Sequence, residues 1–186
     1  MILILLTLVA GAVVGLATGG SLLYFPSIRL QRWWLAAIGV ALQFVNPNGW
    51  LGHVAVIVSF ACLLVFAIVN IRAAGFLLIC VGLALNAFVI LLNGGMPVTR
   101  EAIIRSGQGS TLAALIAGEG GAKHHLADSG SQLLILGDAI GVPAPIGQVV
   151  SIGDILLDAG IAWYVAASMH KRREPLPVVD AAARFS

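Results

Sequence analysis

Residues 50–92 read WLGHVAVIVSFACLLVFAIVNIRAAGFLLICVGLALNAFVILL, and their one charged side chain is Arg72. An apolar run of about 18 residues or more reads as a membrane-crossing helix, because roughly 20 helical residues cover about 30 Å of hydrocarbon. Divided at Arg72, the stretch predicts two such helices, over residues 50–70 and 73–92. Outward from it, three more runs fit the same pattern: residues 2–18, 34–46 and 152–169. The run 34–46 is short, which local bilayer thinning can accommodate. Trp33, Trp34 and Trp50 stand at its ends, where amphipathic rings suit the headgroup level.

The composition agrees. Of 186 residues, 60% are hydrophobic and 10% charged, and the mean hydropathy is +1.03. Soluble domains carry about 25% charged residues. The chain is therefore read as neither a water-soluble globule nor a disordered polymer. A net charge of +2 is too small to suggest nucleic acid as a partner. Cys62 and Cys80 lie in apolar runs and read as small packing residues. The expected fold is all-α: a polytopic membrane bundle of about five transmembrane helices, with a re-entrant or interfacial extracytoplasmic segment over 93–151. One transmembrane domain is expected over 1–170 and a cytoplasmic tail over 171–186.

Basic residues set the expected orientation. Arg29, Arg32, Arg72 and the run Lys171, Arg172, Arg173 fall on loops of one side, which the positive-inside rule makes cytoplasmic. The N-terminus and the 93–151 segment are then extracytoplasmic, and the expected location is the plasma membrane. Gly11, Gly15 and Gly19 repeat every four residues on the first run. That spacing predicts a face where another helix backbone comes close.

The 93–151 segment holds most of the remaining polar chemistry. Thr99 and Ser110 are each placed to cap a short helix. Leu112, Leu115 and Ile116 follow at helical spacing, which suggests a helix lying on the membrane surface. Lys123, His124, His125 and Asp128 come next. Residues 131–142 are too short to span, and Pro143 and Pro145 forbid a continuous helix beyond them, so a re-entrant piece is expected there.

Asp138 and Asp154 are the candidate catalytic pair. Asp154 lies in Ser151-Ile152-Gly153-Asp154, the spacing of a capping box, so capping alone accounts for it. The alternative is that Asp138 folds back to face Asp154. Two partly desolvated carboxyls then cannot both ionise easily, and one becomes an acid and the other a base. Lys123 and His124 are candidates to tune that site, with Asn86, Asn93 and Ser151 as supporting polar groups. Asp158 lies one turn deeper than Asp154 and is expected to be hydrogen-bonded there. His124, His125 and Asp128 could offer metal ligands, with His124 and Asp128 four apart, but no second ligand cluster accompanies them and a catalytic zinc needs three ligands in good geometry. No metal and no cofactor are expected.

Several blocks in order resemble a bacterial membrane family, domain of unknown function 5317. They are Asn93-Gly94-Gly95-Met96-Pro97-Val98, Lys123-His124, Leu136-Gly137-Asp138 with Pro143 beyond, and Ser151-Ile152-Gly153-Asp154. The resemblance supports the helical membrane fold and carries no activity. The family pattern has an aliphatic residue where this chain has Asp158. The leading functional expectation is a non-catalytic accessory subunit that packs against a larger membrane complex, with membrane lipids and other membrane subunits as partners. The alternative is a membrane-embedded hydrolase that uses the outer aspartates on a peptide or lipid-linked substrate.

Overall fold

A computed structural model of the chain describes residues 2–27, 30–44 and 49–170. Arg29, the 171–173 basic run and the rest of the expected tail lie outside the described residues. Five long helices carry the apolar runs: α1 (Ile2–Ala17), α2 (Trp33–Phe44), α3 (Trp50–Val69), α4 (Phe76–Asn93) and, after the 93–151 segment, the last helix α7 (Ile152–Ser168). Between α4 and α7 the chain forms β1 (Met96–Val98), α5 (Arg100–Ser106), α6 (Gly109–Ile116), β2 (His124–Leu126), β3 (Ile140–Val142) and β4 (Gln148–Val150).

The structure is thus mostly helical, and among the described residues two helices, α3 and α4, are long and apolar enough to cross a membrane. The expectation of five spans is not met by length. α1 has 16 residues, α2 has 12 and α7 has 17. Each falls short of the about 18 residues from which an apolar run reads as a crossing helix, a length that α4 just reaches. Local chemistry sets the shorter ends. The Thr18 hydroxyl turns back to donate to the Val14 and Gly15 carbonyls, and Gly19 leaves the helical region at φ +86°. At the start of α4, the turn before Phe76 is closed by Gly75 at φ +79°, so the helix begins three residues later than the sequence suggests.

Small residues set the packing. α4 and α7 run antiparallel with glycines facing one another. A Cβ at Gly160 would meet the Gly75 carbonyl oxygen at 2.6 Å, and one at Gly82 would meet the Leu157 nitrogen at 2.8 Å. Without side chains at these points the two backbones touch, the contact that small residues allow between membrane helices. α1 runs parallel to α7: Gly11 lies against Ala162 and Val165, and Gly15 against Ala166 and Met169. Gly19 departs from the expected face. It lies beyond the helix with open space around it, and Gly20 takes its place against Met169. The α2–α3 pair is pinned by Ser59, which donates to the Gly39 carbonyl at 2.8 Å and accepts from the Gln43 amide at 2.7 Å. Phe76 is buried at the centre, edge-on to Phe66 and Tyr164 at centroid distances of 5.5 and 5.3 Å.

The 93–151 segment folds into a small cap at one end of these helices, and here the all-α expectation needs correction. β1 and β2 pair in parallel, and β3 and β4 pair antiparallel. β-Branched residues at Val98, Ile140, Val142, Val149 and Val150 favour these short ladders. Val98, Ile103 and Leu115 form the cap's buried core, with Leu112, Leu126 and Val149 packed on it. Thr99 caps α5 by accepting from the Ala102 amide. Ser110 does not cap α6, which starts one residue earlier, after Gln108. Residues 131–142 contribute one 3-10 turn (Leu134–Leu136) and β3. Their backbone is held by local turns, by the Asn93 side chain at Gln132, and by pairing of Asp138 with β1 and of β3 with β4, and no re-entrant helix is present among them.

Candidate functional site

The first turn of α7 meets α4 at Gly82 and Asn86. Gly153 has no side chain, and a Cβ there would collide with the Asn86 side-chain oxygen. Asn86 therefore reaches the helix start. Its amide donates to Asp154 Oδ1 at 2.7 Å, and its oxygen accepts from the Ser151 hydroxyl at 2.9 Å. The Ser151 backbone N–H donates to Asp154 Oδ2 at 2.9 Å, and the Asp154 N–H donates to Ser151 Oγ at 3.0 Å. The capping box and Asn86 thus close one network in which both Asp154 oxygens accept a hydrogen bond. Ser151 is fully buried within it.

Asp138 arrives from the cap. Its N–H donates to the Pro97 carbonyl and its carbonyl accepts from the Thr99 N–H, each at 3.0 Å, so it continues the β1 ladder beside Val98. Its carboxyl is 11% exposed, and Oδ2 lies 3.7 Å from Nε2 of the half-exposed His124 ring. β2 carries His124 to this point, because Met96 on β1 stands opposite it. Asp138 and Asp154 line one cavity of about 210 Å³, together with Asn86, Lys123, His124 and Gln43. A second cavity of about 320 Å³ lies within the cap, lined by Gln108, Thr111, Glu119 and Gln148 among others. His124 and Asp138 line both cavities, so they form the wall between them.

The electrostatics follow from this geometry. Burial first, and then the negative charge of Asp154, push the Asp138 carboxyl up to about 7. His124 is held below its ordinary value, first by the protein packed around the ring and then by Lys123 and His125, against the opposing pull of Asp154. Burial also lowers Lys123. The shifts on Asp138 and His124 both disfavour an ion pair, and 3.7 Å is too long for a hydrogen bond. The site therefore sets a carboxyl of raised proton affinity beside an imidazole of lowered proton affinity.

Other sequence-selected residues lie elsewhere. Asn93 clamps the cap to the end of α4: its amide donates to the Val89 and Gln132 carbonyls, and its oxygen accepts from the Gln132 N–H. Asp158 faces α1, where Thr7 hydrogen-bonds to it. Asp128 closes a local turn with Gly130 and Ser131. Among the described residues no group of three metal-ligating side chains converges. Sequence reasoning missed Gln43 as a cavity residue and Gln148, whose side chain accepts from the Leu3 N–H at the start of α1. It also missed the glycine face through which α4 and α7 touch. The seven-residue spacing of Gly75–Gly82 and of Gly153–Gly160 was the signal.

The sequence profile of one family, the family of unknown function DUF5317, matches residues 22–166. The chain belongs to that family. No curated protein and no solved structure matches it. The DUF5317 match takes in Asn86, Lys123, His124, Asp138, Ser151 and Asp154, and α1 lies outside it.

Proposed function

We propose that this DUF5317 protein is a multi-pass plasma-membrane protein with its N-terminus and cap outside, and that it is a hydrolase acting at the outer surface through Asp138. The observation that carries the hydrolase reading is the meeting of Asp138, His124, Lys123 and Asp154 around one cavity. The membrane reading draws on apolar surface. Leu5, Val9, Val13 and Leu16 on α1, and Val54, Ile57, Val58 and Ile68 on α3, are all exposed. Contiguous apolar surface of this kind is rare on water-facing proteins. The helix directions agree with five crossings, with Arg72 exposed at the end away from the cap. Tilted neighbours and a locally thinned bilayer would accommodate the shorter helices.

In this reading Asp138 is the acid and base. As a carboxylate it takes a proton from a water molecule whose oxygen adds to a carbonyl carbon or phosphorus. As the resulting acid it returns that proton to the leaving nitrogen or oxygen as the scissile bond breaks. Asp154, fixed by three hydrogen bonds to Asn86 and Ser151 groups, is the standing charge that keeps the Asp138 proton in play. Lys123 supplies positive charge where negative charge develops. The substrate is peptide or lipid-linked. The leading expectation of an accessory subunit drew in part on the glycine face of α1, and α7 fills that face at Gly11 and Gly15.

The test is turnover. Wild type and Asp138→Asn are reconstituted in vesicles of bacterial total lipid containing a membrane-peptide library, and products are read by mass spectrometry. Cleavage products from wild type that the variant does not make are the expected result. Identical product profiles would remove the hydrolase reading, and co-purification of a stoichiometric partner alongside that result would restore the accessory subunit.

A further inference from the structure

The cavity inside the cap combines apolar walls with acidic ones. Val98, Ile103 and Leu115, the cap's buried core, line it together with Val149. At about 320 Å³ it falls in the range of pockets that hold small organic molecules. Its acids are the buried Asp138 and the exposed Glu119, and among the described residues no lysine or arginine lines it. Asp138 is 8% exposed. Yet among the described residues its carboxyl accepts no hydrogen bond, and its ion-pair contact with His124, at 3.7 Å, is too long for one. Fully occluded side-chain oxygens among the described residues all have partners, so the Asp138 oxygens face open space rather than packed protein. A buried polar group is ordinarily hydrogen-bonded, and a carboxyl left in this state marks where a donor fits. The other polar groups of the cavity are acceptors as well. The Gln108 amide already donates to the Gly147 carbonyl, which leaves its oxygen to accept, and the Thr111 hydroxyl can accept beside it.

We infer that the cap cavity binds a small primary ammonium ion, its charged end on Asp138 and Glu119 and its carbon stem against Val98, Ile103, Leu115 and Val149. An ammonium offers three donors and no acceptor, which matches a lining of two acids and further acceptor oxygens. An anion would meet both acids, and an apolar molecule would leave Asp138 without a partner. A bare metal ion is not selected, because among the described residues no three metal-ligating side chains converge. The inference goes beyond the hydrolase reading and does not depend on it: it needs an amine bound and no bond cleaved. Two carriers share this chemistry, the lysine side chain of a peptide and the ethanolamine head of a lipid, and the test separates them.

Isothermal titration of the full chain in detergent tests this, at about pH 8 so that Asp138, raised to about 7, is ionised. The probe is n-butylamine, with 1-butanol as the neutral control and butyrate as the anionic one. One butylammonium per chain is expected, bound at least ten-fold more tightly than either control. Glu119→Gln and Asp138→Asn should each weaken binding about ten-fold; Glu119 is exposed, so its variant should fold as wild type does. Ala114→Phe fills the cavity and should weaken binding as much, with Ala114→Val as the milder variant if the first misfolds. Glu101→Gln removes an exposed acid of α5 that does not line the cavity and should bind as wild type does. Nα-Acetyl-lysine methylamide and phosphoethanolamine then compete for the site, and displacement of butylamine by either one supports it and names the carrier. Equal binding of butanol or butyrate, unchanged binding in both Glu119→Gln and Ala114→Phe, or displacement by neither competitor would overturn the inference. Amine bound with no cleavage by wild type would sink the hydrolase and leave this site standing, and cleavage without amine binding would do the reverse.

Discussion

Asp138 is the residue whose chemistry depends most on its surroundings. Burial and the Asp154 charge raise it to about 7, so the folded chain holds its proton more tightly than the unfolded chain does. Stability from this group is complete below the unfolded value near 4 and is lost as pH rises to about 7, by an amount on the order of 4 kcal/mol. Thermal unfolding in detergent across that window should show the loss in wild type and not in Asp138→Asn. The variant should keep the reverse trend from His124. That pKa is lowered, so its stability falls as pH drops below about 6.5. Asp154→Asn should move the Asp138 midpoint below about 7, because the charge that helps raise it is gone; the carboxyl infrared band against pH reads this directly. Ser151→Ala removes an N-cap and strands the buried Asn86 oxygen, at a cost of about 1–3 kcal/mol in the same melting assay.

At the scale of elements, the contacts between α7 and its two neighbours hold the site's floor in place. The backbones of α4 and α7 touch through Gly75, Gly82 and Gly160, and Asn86 reaches Asp154 four residues past Gly82. Gly160→Leu should separate the helices at a cost of at least 1–3 kcal/mol, the range for overpacking a close contact. It should also weaken the Asn86–Asp154 bond, which the Asp138 midpoint reports. Gly15→Leu meets Met169 and Ala166 and should destabilise by a similar amount, whereas Val9→Leu on the exposed face should leave the melting curve unchanged. The seven-residue glycine spacing of α4 and α7 was legible in the sequence. Which glycines face which could not be read there, because glycine is common in membrane helices and spacing alone names no partner helix.

At the scale of the whole molecule, the helix directions divide the chain into two ends. The cap, the start of α1 and the start of α7 share one end, where Leu3 bonds to Gln148. Arg72 and the turn in which Asn70 bonds to Gln31 share the other. Reporter fusions near Gly120 and at Ser186 should therefore read opposite sides of the membrane. The same side for both would remove the five-crossing topology.

The sequence by itself determined the apolar helices, the family and the capping box that opens the last helix. These rest on local signals: run length, block order and a three-residue spacing. The tertiary structure alone decided that Asp138 and Asp154 share a cavity, that the cap is built from β-ladders, and that Gly19 stands off the packing face while Gly20 joins it. Each of these depends on groups far apart in the chain. Asp138 is placed by Pro97 and Thr99, His124 by its pairing with Met96, and Asn86 by the missing side chain of Gly153. The β-strands are three residues long, too short for a period-2 pattern to emerge, and they exist because residues 93–151 must satisfy their backbone hydrogen bonds against one another. The acid's proton affinity is likewise a property of burial and of a neighbouring charge, and neither is written in the residues beside it.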